Sequence, residues 1–191
     1  MPAGIKDYAS TLTSLVAASS AADGDGSALP LDKTLDGIIG RIAALRGTPS
    51  KLIAVGNGGS SAVANHFVLD LWNNSGVRAV SFSDSSLLTC VANDFGYPEV
   101  FRKPLGMFSD KGDVLLAISS SGRSENILHS VEEAKARGLW CVTFSGFKPD
   151  NPLRRMGHVN IFVDSGSYGM VELAHSVLSH YLADALLLKK N

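Results

Sequence analysis

From Lys51 onward, short apolar runs alternate with stretches of helical periodicity, and this alternation leaves few architectures open to the chain. Strands are expected at 51–55, 77–82, 113–118, 139–144 and 159–163, with helices at 60–73, 124–137 and about 169–189 and helical material across 85–105. Runs such as Leu52-Ile53-Ala54-Val55 and Val114-Leu115-Leu116-Ala117-Ile118 lack polar alternation, as strands covered on both faces do. Such strands, separated by helices, pair in parallel through right-handed crossovers. The expectation is an α/β fold: a doubly wound sandwich on a five-stranded parallel sheet. Ahead of it, Ile5, Tyr8, Leu12, Leu15 and Val16 recur at helical spacing, as do Leu35, Ile38, Ile39, Ile42 and Leu45. These read as two amphipathic helices joined by a flexible segment, Ser19 to Pro30. At 191 residues the whole reads as one domain, residues 1–48 forming an N-terminal helical segment and 49–191 the α/β core.

Two of the strand-to-helix turns share one chemistry. Gly56-Asn57-Gly58-Gly59-Ser60-Ser61 follows the first strand, and Ser119-Ser120-Ser121-Gly122-Arg123-Ser124 follows the third. A phosphate is held well at a helix start by backbone N–H groups, the positive end of the helix dipole and hydroxyl donors. Gly58 and Gly59 permit close approach of the main chain, and Ser60 or Ser61 can cap the following helix. Either turn alone reads equally well as an ordinary capped loop. Their repetition, at the edge where doubly wound sheets bind ligands, points to a phosphorylated ligand.

Other ligands fit less well. The dinucleotide fingerprint fails at its third glycine, where Ser61 stands, and no acidic residue ends the second strand, Ala79-Val80-Ser81-Phe82-Ser83 before Asp84. Neither turn carries the Gly-Lys-Ser/Thr ending of nucleotide hydrolases, so no nucleotide cofactor is expected. With 17 basic against 18 acidic residues, the chain has no electrostatic footprint for nucleic acid or anionic lipid. No apolar run approaches a membrane span, and Leu12 to Ala22 reads as neither signal peptide nor anchor. Cys90 and Cys141 sit among apolar residues without metal-ligand spacing, which suggests buried free thiols in the cytoplasm.

Titratable groups cluster in three places. His66 and Asp70, at i, i+4, share a helix face near the phosphate-binding end. Glu172, His175 and His180 lie on the last helix, where one histidine can face the core beside Leu173, Val177, Leu178 and Leu182. Asn93-Asp94-Phe95-Gly96-Tyr97 reads as a helix end and turn. His129 and His158 read as a solvated helix position and a loop, and Lys189 and Lys190 as partners of the C-terminal helix dipole. Eight residues separate Glu172 from His180, a rise of about 12 Å, so on one continuous helix they cannot meet at one atom. Shared chemistry would require different ends of a ligand or different subunits.

In order along the chain, Gly56-Asn57-Gly58-Gly59-Ser60, Ala64-Asn65-His66-Phe67, Ala92 to Phe101, Ser119 to Ser124 and Glu172-Leu173-Ala174-His175 through His180 resemble the sugar isomerase (SIS) domain of the phosphoheptose isomerase family. The resemblance covers nearly the whole chain. It implies a flavodoxin-like fold, a homotetramer with active sites between subunits, and interconversion of sedoheptulose 7-phosphate and glycero-manno-heptose 7-phosphate for surface glycans. By the same resemblance, Ser60, Ser119, Ser121 and Ser124 hold the phosphate with Ser120 in support, and Asn57 and Asp94 meet sugar hydroxyls beside Gly58. Asp70 stands at the catalytic base and His180 at the acid. His66, Asp70, Glu172 and His180 occupy the positions of a zinc site found in some relatives.

The chain departs from that pattern at three points. Asp70 replaces glutamate, Glu172 replaces glutamine, and Trp72-Asn73-Asn74 stands where an arginine is usual. Glu172 thereby competes with Asp70 for the role of base. A sugar-phosphate-binding module or assembly partner without catalysis is the alternative reading.

Overall fold

The computed structural model describes residues 4–189; Lys190, whose helix-dipole reading was given above, lies outside them. The chain runs α1 (Ile5–Ala17), β1 (Ser20–Asp23), β2 (Ala28–Leu29), α2 (Leu31–Ala43), β3 (Leu52–Gly56), α3 (Gly58–Asn73), β4 (Ala79–Ser81), α4 (Ser85–Phe95), α5 (Arg102–Phe108), β5 (Val114–Ser119), α6 (Glu125–Ala136), β6 (Trp140–Gly146), β7 (Val159–Val163) and α7 (Tyr168–Leu188). Short 3-10 turns occupy Tyr97–Glu99 and Pro152–Arg155.

The strands form a mixed sheet of seven, in the order β2-β1-β7-β6-β5-β3-β4. Neighbours from β7 to β4 pair in parallel, whereas β1 pairs antiparallel with both β7 and β2. This corrects the expected five-stranded sheet and the purely helical reading of residues 1–48. The segment read as a flexible join supplies β1 and β2, with Ala21 opposite Ile161 on one side and Leu29 on the other. Ser-Ala-Ala-Asp has little intrinsic strand preference; the open edge of β7 recruits it, and Ala21 and Ala22 become buried.

Every residue of β3 and β5 is buried, as uniformly apolar runs require. Alternate side chains feed two cores. Leu52, Ala54, Leu116, Ile118 and Phe144 pack under α2, α3 and α7, while Ile53, Val55, Leu115, Ala117 and Cys141 pack under α4, α5 and α6. At the amino ends of β3 and β5, Lys51 is closed off by Asp113 at 2.7 Å and Asp110 at 2.9 Å, and its own N–H donates to Asp113 Oδ1. The strand order reverses between β3 and β5, so their carboxyl ends open a crevice.

Several single-residue expectations change in the packed molecule. Cys90 is exposed, because Val91 is the residue that α4 buries, and only Cys141 is a buried thiol. Burial pushes the Cys141 thiol up to about 12. His175 is the core-facing histidine; its Nε2 lies 3.3 Å from the Ser145 carbonyl, and burial pushes its pKa down to about 4. His129 is not merely solvated but meets Glu99 at 3.2 Å, and His158 Nδ1 accepts the Cys141 N–H. Among the described residues, no helix is long and apolar enough to cross a membrane.

Candidate active site

The two hydroxyl-rich turns converge. β3 and β5 are adjacent, with Gly56 in register with Ile118, so the segments that leave them open into one cavity of about 250 Å³. Asn57, Gly58, Gly59 and Ser60 line it from the first turn, Ser119, Ser120, Ser121 and Ser124 from the second, and Tyr168 and Glu172 from α7. The cap of α3 is not Ser60 or Ser61: the helix begins at Gly58, with Asn57 at the N-cap and no side-chain cap bond. This shift of two residues places Ser60 in the first turn of the helix, where its hydroxyl and the free N–H groups face the same space.

The second turn is held by its own hydroxyls and by a neighbouring loop. Ser119 Oγ donates to Ser124 Oγ at 3.3 Å, and the Arg123 N–H donates to Ser121 Oγ at 3.3 Å. Gly122 has φ +63°, and a Cβ there would overlap the amide of Asn151, so this turn accepts only glycine. Ser120 Oγ is buried without a hydrogen-bond partner. A buried, unpaired hydroxyl is costly in a purely structural loop and costs less where a ligand supplies the partner.

Among the described residues, Glu172 is the only charged side chain that lines the cavity. It lies against α3, where a Cβ at Gly59 would overlap its carboxylate. The carboxylate therefore sits beside the positive end of α3. Among the described residues no lysine or arginine lines the cavity, so N–H groups and hydroxyls are the donors it offers to an anion.

The remaining titratable residues gather elsewhere. Asp70 Oδ2 lies 3.5 Å from His180 Nδ1 and 3.8 Å from His66 Nε2, and the two imidazoles meet edge to face. These three ligand atoms all lie within 4.8 Å of one another. Two imidazoles and one carboxylate form a donor set that suits zinc. Because α3 starts at Gly58, His66 and Asp70 stand about 12 and 18 Å along the helix from its first residue, not near its phosphate-binding end. Glu172 belongs to the serine cavity and His180 to the trio, as the 12 Å rise along a continuous α7 requires. Within one chain, the expected four-residue metal set is thus three residues plus a distant fourth. Asp94, at the exposed end of α4, does not line the serine cavity; it accepts from Asn93 Nδ2 and the Cys90 thiol.

Asn126 went unmarked in the sequence, and Tyr97 was read only as part of a helix end and turn. Asn126, buried at the start of α6, and Tyr97, after the Gly96 turn, both bond to the Asn57 side chain. Asn126 carries a faint signal, a polar residue on the core face of a helix that begins at the serine turn.

A doubly wound sheet with an anion-receiving cradle at its topological switch point defines a binding protein for small phosphorylated ligands. Residues 41–146 match the SIS domain, and with the relatives below this shows that the chain belongs to the SIS domain family. A phosphoheptose isomerase of Cytophaga hutchinsonii is 43% identical over 138 residues, which span 69% of this chain and 72% of that protein. Among solved structures, the phosphoheptose isomerase GmhA of Neisseria gonorrhoeae superposes with a TM-score of 0.75 at 28% identity, over 81% of this chain and 86% of that one. A phosphoheptose isomerase of Francisella tularensis superposes over 95% of both chains with a TM-score of 0.81; at 24% identity it speaks for the fold alone.

Proposed function

We propose that the protein is an aldose–ketose isomerase of sugar phosphates, with sedoheptulose 7-phosphate and D-glycero-D-manno-heptose 7-phosphate as the pair it interconverts. The observation that carries this reading is the single cavity shared by both hydroxyl-rich turns, with a carboxylate at its wall. The phosphoryl group sits among Ser60, Ser119, Ser121 and Ser124 and the N–H groups of α3, and Ser120 gains a partner. A base removes the proton from C1 while an acid protonates the C2 carbonyl oxygen; the enediol then takes a proton at C2 and releases one from the C1 hydroxyl.

Asp70 is the base in this reading and His180 the acid, an assignment supported by their 3.5 Å approach. Bound zinc at His66, Asp70 and His180 would polarise the carbonyl. The trio stands too far along α3 to serve the cradle of its own chain, and exposed Leu69, Trp72, Leu173, Val177 and Tyr181 share its two helices. A homotetramer that brings the trio of one copy to the cradle of another, with Glu172 completing the metal set, resolves both points. The chain then forms one folded unit through residues 4–189, and its two unpaired thiols fit the reducing cytoplasm.

Solvent-deuterium incorporation into the sugar phosphate tests the reading. Wild type and Glu172→Gln exchange the substrate proton, whereas Asp70→Asn and His180→Ala lose turnover by roughly two to four orders of magnitude. Exchange lost in Glu172→Gln and kept in Asp70→Asn moves the base to Glu172. Sugar phosphate that binds without exchange in the wild type supports instead a non-catalytic binding module, the role that the distance from trio to cradle within one chain would favour.

A further inference from the structure

Asn57 stands where β3 turns into α3, yet its side chain bonds to none of the helix N–H groups that follow it. Its amide is closed onto that of Asn126 instead. Asn57 Nδ2 donates to Asn126 Oδ1 at 2.9 Å, and Asn126 Nδ2 donates back to Asn57 Oδ1 at 2.8 Å. The Tyr97 hydroxyl adds a second donor to Asn57 Oδ1 at 3.0 Å. Asn126 is only 2% exposed, so water competes poorly for the pair.

The amide of Asn57 is therefore left with an asymmetric capacity. An amide oxygen accepts two hydrogen bonds, and both are taken; the nitrogen has two hydrogens and has spent one. Asn57 also lines both the serine cavity and an adjoining cavity of about 350 Å³ beside Tyr97 and Pro98. Rotation of the Asn57 amide alone would break three hydrogen bonds, two of them to the buried Asn126.

We propose that Asn126 and Tyr97 are positioning residues that lock Asn57 as a hydrogen-bond donor, presenting one N–H to the lone pair of a ligand oxygen. The proposal rests on the sugar-phosphate reading and alters it at one residue. An asparagine free to turn can accept from a sugar hydroxyl, whereas one with a saturated Oδ1 cannot. The locked N–H can only donate, so the electron-rich oxygens of a phosphoryl group or of the sugar carbonyl are its strongest partners, and on the carbonyl it also serves the enediolate that the carbonyl becomes.

The test is steady-state turnover of the sugar phosphate in Asn57→Ala, Asn126→Ala, Tyr97→Phe and the doubles that contain Asn57→Ala. Asn126→Ala lowers kcat/KM about tenfold and Tyr97→Phe severalfold, and neither lowers it further once Asn57 is alanine. Inhibition by inorganic phosphate separates the two oxygens: weakened in step with KM, it places the N–H on the phosphoryl group; unchanged while kcat falls, it places it on the carbonyl. Should Asn126→Ala not fold, Asn126→Asp, which can accept from Asn57 but not donate to it, reports the same loss. Additive effects in the doubles, or an unchanged kcat/KM in Asn126→Ala, overturn the proposal. If the wild type turns over no sugar phosphate, calorimetric binding of that compound to the same variants tests the lock separately from the isomerase reading.

Discussion

At the amino ends of β3 and β5, Lys51, Asp110 and Asp113 satisfy one another, and Asp113 is fully buried. At the carboxyl ends of the same two strands, Ser119 and Ser120 are just as buried, Ser120 Oγ has no partner, and a turn is held at positive φ. The two ends differ in polar completeness, although the strands between them are equally apolar. Pairing at one end secures the register of the sheet; deficiency at the other leaves donors for something that arrives later. Burial pulls the Lys51 pKa down, but the hydrogen bonds and charges of Asp113 and Asp110 outweigh it and leave it raised, so the ammonium stays charged throughout the neutral range.

The sharpest way to break the comparison is Asp113→Ala. It leaves the buried Lys51 ammonium with only the exposed Asp110 and removes the acceptor of the Lys51 N–H, and should cost about 3 kcal/mol by chemical denaturation, while the KM of the protein that remains folded is unchanged. A rise in KM would mean that the amino end also serves the ligand. A smaller effect comes from acid. His175 has a folded-state pKa of about 4, below its ordinary value, so the folded state binds fewer protons than the unfolded one as pH falls. Its contribution is complete above about pH 6.5 and is lost toward pH 4, an expected decline of about 3 kcal/mol in unfolding free energy. His175→Gln should flatten that slope. His158, also depressed by burial and by the nearby Lys135 and Arg41, adds to the decline in the same direction. The smallest effect is expected at the open end. Ser120→Ala removes a hydroxyl that bonds to nothing, so the melting temperature should hold or rise slightly while KM for the sugar phosphate rises severalfold. A clear loss of stability would show the hydroxyl to be structural.

How much of this was legible depends on what each residue answers to. The strands β3 and β5 were readable because unbroken apolar runs have one stable destination, the middle of a covered sheet. The helix starts were less so: the expected cap at Ser60 or Ser61 lies at Asn57, because the backbone at Gly58 turns into the helix two residues early. β1 was illegible, since Ser-Ala-Ala-Asp becomes a strand only when β7 offers an unpaired edge. Cys90 and Cys141 look alike in the sequence and part company through the face each presents to its neighbours. At the site, the two turns and the trio residues were legible by type and spacing. The lock on Asn57 was not, because Asn126 and Tyr97 reach it from other elements.

The sequence by itself determined the doubly wound α/β class, the two hydroxyl-rich turns and the separation of Glu172 from His180, because apolar periodicity, turn chemistry and helical rise are local properties. Only the tertiary structure decided that both turns share one cavity, that Asp70 meets His180 rather than Glu172, and that two strands join the sheet from outside the core. Those outcomes depend on which edges and faces are left unsatisfied when the elements pack, and that is a property of the assembled molecule rather than of any segment.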